Sequence, residues 1–91
     1  MFSGGDYDEV RRWLRNFLTS HAKREDPRIE VALDSDGERD GVSYAARLRL
    51  GERLGSVSEF DFKEVAERRG TLAWCLDVAA RTRARARELL G

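Results

Sequence analysis

Arg28-Ile29-Glu30-Val31-Ala32-Leu33-Asp34 and Val42-Ser43-Tyr44-Ala45-Ala46-Arg47-Leu48-Arg49-Leu50 decide the fold. In the first stretch Ile29, Val31 and Leu33 alternate with polar or small neighbours. In the second, positions 42, 44, 46, 48 and 50 are apolar and the intervening ones are polar or, at Ala45, small. A period of two turns one face of each strand to a core and the other to water. Between them, Ser35-Asp36-Gly37-Glu38-Arg39-Asp40-Gly41 supplies the small, polar and glycine residues of a hairpin loop. Two strands alone are marginally stable, so their apolar face needs a cover. The helical stretches on either side provide it. The expected architecture is α+β, helix–β-hairpin–helix (αββα), in one domain over residues 1–91. Both helices pack on one face of a two-stranded antiparallel hairpin.

The first helix is read over residues 6–24. Asp6 caps it and Glu9 completes a capping-box-like pair. Asp8 and Glu9 fall in the first turn and Lys23 and Arg24 in the last, which suits the helix dipole. Tyr7, Val10, Leu14, Phe17, Leu18 and His21 recur at steps of three and four and form one stripe. Pro27 bars continuation and sends Asp26 toward an extended conformation. After the hairpin, Gly51 to Gly55 reads as a turn or a fraying strand end. Ser58, with Asp61 three residues on, is the expected cap of the next helix, and Ser56 with Glu59 competes. From there a helical pattern runs to Leu90, about 33 residues or ~50 Å. Gly70, after Arg68 and Arg69, marks where this helix bends or breaks. A continuous or mildly bent helix is preferred, because an interior glycine costs only about 1 kcal/mol.

Composition narrows the class. The 91 residues are 41% hydrophobic and 37% charged, which is globular but rich in charge. Seventeen acidic and seventeen basic residues cancel, so the whole molecule exerts no strong pull on nucleic acid. The charge is nonetheless segregated: residues 25–67 hold twelve acids and six bases, while both ends are net basic. A chain this short gains appreciably from a subunit interface. The single cysteine, Cys75, excludes an internal disulfide framework. The start, Met1 to Asp6, shows no secretory pattern, and no segment approaches the ~20 apolar residues of a membrane span. A cytoplasmic protein without a membrane association is the default expectation.

Leu72, Cys75, Ala79, Thr82, Ala86 and Leu89 follow steps of three and four, with Leu76 and Leu90 flanking. Small residues let another helix approach closely. A first helix of ~28 Å does not cover a 50 Å helix, so a second copy of the chain is the simplest further cover. The expected interface is Leu72, Trp74, Cys75, Ala79, Ala86, Leu89 and Leu90. A homodimer forms through this helix or through a hairpin edge that continues the sheet.

No residue pattern carries catalysis, a metal or a cofactor. Asp34, Asp36 and Asp40 read as an acidic turn, because the distal bidentate glutamate of a calcium loop is missing. His21 and Cys75 read as structural. Arg47 and Arg49 are explained by cross-strand pairing with Glu30 and Asp34. On a helix, Arg81 and Arg85 share one side and Arg83 and Arg87 another. The helix–sheet–helix order is also that of a double-stranded-RNA-binding domain. The chain departs from it by showing two clear strands and by Glu59, Asp61 and Glu64 where that family has a lysine cluster. The expected function is a small non-enzymatic protein-interaction module, homodimeric or bound to another protein. The alternative is a nucleic-acid-binding protein using Arg11, Arg12, Arg15, Arg81, Arg83, Arg85 and Arg87.

Overall fold

The computed structural model describes residues 5–91; the absence of a secretory signal, read from Met1 onward, rests on residues outside that range. The order is α1 (Tyr7–Glu25), β1 (Glu30–Asp34), β2 (Ser43–Leu50), β3 (Arg53–Leu54), β4 (Ser58–Asp61), α2 (Phe62–Arg68) and α3 (Leu72–Leu90). The α+β class and the helix cover of an antiparallel hairpin are as the periodicity implied.

Asp6 caps α1 by accepting a hydrogen bond from the Glu9 amide at 2.7 Å. Beyond Glu25, Asp26 turns the chain by accepting from the backbone and side chain of Arg28. β1 then pairs antiparallel with β2, Glu30 opposite Arg49 and Asp34 opposite Ala45. The loop between them carries a 3-10 turn over Gly37–Arg39, with Gly37 and Gly41 at positive φ. Val42, expected to face the core, precedes the strand and is exposed. Its carbonyl instead accepts from the Phe62 amide at 2.9 Å.

Two further strands complete the sheet. Leu50 pairs with Arg53, so Gly51 and Glu52 form a two-residue hairpin loop. Gly51 has φ +62° and Glu52 is not at positive φ, the signature of a type II′ turn. Ser58, expected to cap a helix, begins β4 and pairs with Ala46; Asp61 is the actual cap of α2. The reason is that β2 has two edges: β1 satisfies one, and Arg53 to Asp61 satisfies the other.

The preferred continuous helix does not form. Arg69, Gly70 and Thr71 separate α2 from α3, and the Thr71 amide donates to the Arg68 carbonyl at 2.8 Å. The turn is fastened to α1: Arg69 donates to Glu9 at 3.2 Å and its guanidinium lies 6.0 Å from the Trp13 ring. α3 then lies alongside α1 in the same direction, with Trp13 and Trp74 6.1 Å apart near their starts and Arg87 on Glu25 near their ends. Both helices have 19 residues, about 28 Å each. The argument for a second copy from an uncovered 50 Å helix therefore falls.

The core lies between this helix pair and the inward residues of the sheet. Leu14, Leu18, Tyr44, Ala46, Val65 and Val78 form its larger part, and Ala22, Ile29, Leu48, Ala86 and Leu89 continue it. At one end sits an aromatic cluster. Tyr7 stacks on Tyr44 at 4.6 Å, and Phe62 meets Tyr7 edge-on at 5.4 Å. The Tyr7 hydroxyl donates to the Ser43 carbonyl at 2.5 Å, and the Tyr44 hydroxyl donates to the Tyr7 carbonyl at 2.8 Å. Truncation by Tyr7→Ala should lower unfolding free energy by about 3 kcal/mol, and Tyr7→Phe by about 1 kcal/mol. Urea denaturation measures both. A loss under about 0.5 kcal/mol for the alanine variant, as at an ordinary surface position, would contradict this packing.

Candidate functional site

Around α3, three arcs have different fates. Ala79, Thr82, Ala86 and Leu89 are buried against the rest of the chain, so these four members of the small-residue seam close the protomer's own core. Ala79, Ala86 and Leu89 are thus corrected as partner-contact candidates. The sequence pattern identified a true packing seam, and α1 with the sheet occupies it. Trp74 and Cys75 are half-buried; the Cys75 thiol donates to the Arg69 carbonyl at 3.3 Å. Leu72, Leu90 and the flanking Leu76 are exposed.

The second arc is Leu72, Leu76, Ala80 and Ala84, at successive steps of four, all exposed. Ala73 lies beside them and is exposed too. This is a ridge of two large and then two small apolar residues, without an acidic member.

The third arc faces the outer strand edge. β2 pairs with Ser58 at Ala46 and with Leu54 at Arg49. Gly55, Ser56 and Val57 must therefore fit opposite Arg47 and Leu48, a β-bulge with one residue in excess. The Gly55 amide returns to the Leu48 carbonyl at 2.9 Å. Beside the bulge a crevice of about 180 Å³ opens between strand edge and helix. Its apolar lining includes Leu18, Leu48, Phe60 and Val78; its polar lining includes Arg47, Ser56, Ser58, Arg81, Thr82 and Arg85. Arg85 donates to the Ser56 hydroxyl. Among the described residues no group of three or more His, Cys, Asp or Glu side chains could hold a metal ion.

Most charges near this crevice are matched. Arg39 binds both Glu59 oxygens, at 2.5 and 2.9 Å, and these bonds hold the Glu59 carboxyl below its ordinary range. Arg81 pairs with Asp77 at 2.7 Å. Arg49 pairs across the strands with Glu30, as expected. Arg47 does not pair so. It stands opposite Ala32, Asp34 is taken by Arg39 at 3.7 Å, and the Arg47 Nε is buried without a hydrogen-bond partner. The sequence offered one sign of this site, the Gly51-Glu52 hairpin loop; the bulge itself depends on register.

The arginines of the nucleic-acid alternative are not brought together. On α1, Arg11, Arg12 and Arg15 lie about 100–200° from Val10, whereas Trp13, which meets Trp74 of α3, lies about 60° the other way. They therefore occupy the flank turned from α3. Arg11 is 3.7 Å from Asp8, and Arg87 donates to Glu25 at 2.8 Å. Arg81 and Arg85 line the crevice, while Arg83 lies close enough to His21 to influence its titration.

Comparison with protein-family models, curated proteins and solved structures finds no match. No helix among the described residues is long and apolar enough to cross a membrane.

His21, half-buried against Phe17 at 4.6 Å, has its Nδ1 buried without a partner. Burial first, then Arg24 and Arg83, lower its pKa below 6.5. The unfolded chain thus takes up the proton before the folded one. Stability should be highest above about pH 6.5 and fall as the pH drops below it. Because His21 is the one histidine, His21→Leu should flatten the stability profile between about pH 7 and pH 5, measured by urea denaturation. An unchanged slope would place the titration elsewhere.

Proposed function

We propose that this chain is a non-enzymatic protein-interaction module that forms a homodimer through the outer face of α3. The observation that carries this reading is the exposure of Leu72 and Leu76, 73% and 61%, one turn apart on the same helix. Large exposed apolar residues that adjoin one another mark interaction surfaces more often than isolated ones do.

The ridge favours a second copy because it is complementary to itself. A two-fold antiparallel pairing centred between positions 76 and 80 sets Leu76 against the partner's Ala80. It also sets Leu72 against the partner's Ala84. Each large side chain then meets a small one, and the operation repeats the contact in reverse, as an isologous interface requires. Ridges of i+4 residues pack at a crossing angle of about −50°, so contact is confined to roughly three turns of each helix. Burial of two leucines per chain contributes about 1.5–3 kcal/mol each, against an association cost of about 4–15 kcal/mol. The dimer is accordingly weak. A pairing through the second strand has no such support, since β2 is flanked on both sides within the chain. The nucleic-acid alternative has less support, as its arginines are dispersed and several are paired. A cytoplasmic location belongs to this reading and rests on the lone thiol.

Light scattering on a size-exclusion column tests it. The mass should approach twice 10.4 kDa at high load and fall on dilution through the micromolar range, around −8 kcal/mol. Leu76→Glu should give a monomer at all loads with stability within about 0.5 kcal/mol. Glutamate at Ala79 or Ala86, 5% and 0% exposed, would disrupt the fold instead. A wild-type mass of one chain at every load would overturn the homodimer.

A further inference from the structure

We propose that the seam between α1 and α3 binds the phosphate group of a phosphate monoester, held by Arg83, Arg24 and the imidazole of His21. The site lies on the side of α3 turned to α1 and does not depend on self-association.

Register brings the three side chains together. The helices run parallel, with Trp74 beside Trp13 near their starts and Arg87 donating to Glu25 at 2.8 Å near their ends. One turn before that bond stand Arg83 on α3 and His21 on α1, and residues four apart share a helix face. Arg83 also follows the buried Ala79 by one turn, and His21 follows Phe17, whose ring it meets at 4.6 Å. Arg24, three residues beyond His21, stands on the same side of α1.

What these groups lack is an anion. The Arg83 Nε and the His21 Nδ1 are both buried without a hydrogen-bond partner. Arg83 and Arg24 form no ion pair among the described residues. Glu25, one turn beyond His21, is committed to Arg87. Burial first, then the charges of Arg24 and Arg83, hold His21 below its ordinary range, and no carboxylate opposes them. Two permanent cations beside a partly buried base are unfavourable unless a counter-charge joins them.

Charge selects the ligand class. With His21 protonated the cluster carries two guanidinium charges and one imidazolium. A phosphate monoester brings about two negative charges near pH 7 and three strong acceptor oxygens, and the planar guanidinium fork suits paired phosphate oxygens. A carboxylate or a phosphodiester brings one charge. Because the bound anion favours the charged imidazole, binding draws a proton onto His21. Affinity for a permanent dianion therefore rises as the pH falls through the range in which His21 titrates.

The test is an NMR titration of the full-length chain, read at its amides and at the imidazole of its one histidine. Near pH 7 and at physiological salt, phenyl phosphate should bind saturably with a Kd of about 1 mM, its shifts centred on His21, Arg24 and Arg83. Dimethyl phosphate, a diester of one charge, should bind about tenfold more weakly. Sulfate, doubly charged at every pH used, should raise the pH at which His21 titrates by about one relative to chloride at equal ionic strength. That is a tenfold preference for the protonated imidazole. Arg83→Gln should weaken phenyl phosphate about tenfold while the amide spectrum stays dispersed. Should that variant lose its fold, Arg24→Gln serves instead, with an expected weakening of a few-fold. Sedimentation with phosphatidylcholine vesicles identifies the source of the ester. Binding that requires phosphatidic acid and is lost in the arginine variant assigns it to a lipid headgroup, and phenyl phosphate binding without sedimentation assigns it to a soluble ligand. No saturable shift, equal binding of the diester, an effect of sulfate no larger than that of chloride, or undiminished affinity in the folded arginine variant would each overturn the proposal. The Leu76→Glu monomer should bind phenyl phosphate as the wild type does, since residue 76 lies about 10 Å along α3 from residue 83, beyond the Debye length at that salt.

Discussion

The stacked pair Tyr7–Tyr44, closed by Phe62, is the constraint from which the architecture follows. It ties the first turn of α1, the first residues of β2 and the start of α2 into one unit. Each tyrosine adds a hydrogen bond to a main-chain carbonyl of another element. Offset or edge-on aromatic contacts contribute about 0.5–1.5 kcal/mol beyond area burial, and buried hydroxyls must find partners. With α1 fixed at this end, the sheet passes beneath it. α2 begins where β4 ends. Desolvation raises the titration of Tyr44 well beyond the ordinary phenol range, so the ring remains a neutral donor.

From that anchor the chain has little freedom. α2 is short and buries Val65 and Ala66. The helix breaks at Gly70, and α3 lies alongside a helix of equal length. The first and last helices are thus neighbours although they are the most distant elements in sequence. Arg69, in the turn before α3, pairs with Glu9, and Arg87 of α3 with Glu25, near either end of α1, exposed enough that each contributes little by itself. The contact between Trp13 and Trp74, and the burial of Ala79 and Ala86, account for more of the attachment. Closing a loop of some sixty residues is slow compared with local hairpin formation, so the helix layer is expected to complete after the sheet's hairpins.

What could be read from sequence was what depends on local periodicity. The alternation of Tyr44, Ala46 and Leu48 announced a buried strand face, and Asp6 with Glu9 announced a helix start. Glu30 with Arg49 was legible because parity and charge agree. Ser58-Glu59-Phe60-Asp61 was not, because four residues with capping chemistry satisfy a helix start as readily as an edge strand. The second edge of β2 settled the matter, and that is a tertiary fact. Gly70 was visible, yet its cost as an interior glycine is small; the docking of Arg69 on α1 made the break preferable. The small-residue seam was real, but spacing alone does not say whether self or partner covers it. Arg47 is the plainest case: its neighbours suggested a cross-strand partner, and register gave it alanine. The crevice beside it owes its existence to a three-against-two mismatch across strands, which no single stretch of sequence displays.

That mismatch also bears on how the molecule behaves in concentrated solution. An exposed strand edge is a template on which foreign strands can add, the first step toward aggregates and fibrils. Here the outer edge is divided into ladders of two and four residues, with the kink and added twist of the bulge between them. Neither segment offers the five to seven uninterrupted extended residues that such growth needs. The same extra residue that opens a crevice at Ser56 and Val57 therefore leaves that side of the sheet a poor seed. It falls to β1, five residues long with Glu30 and Asp34 exposed on its solvent side, to be guarded by charge rather than by shape.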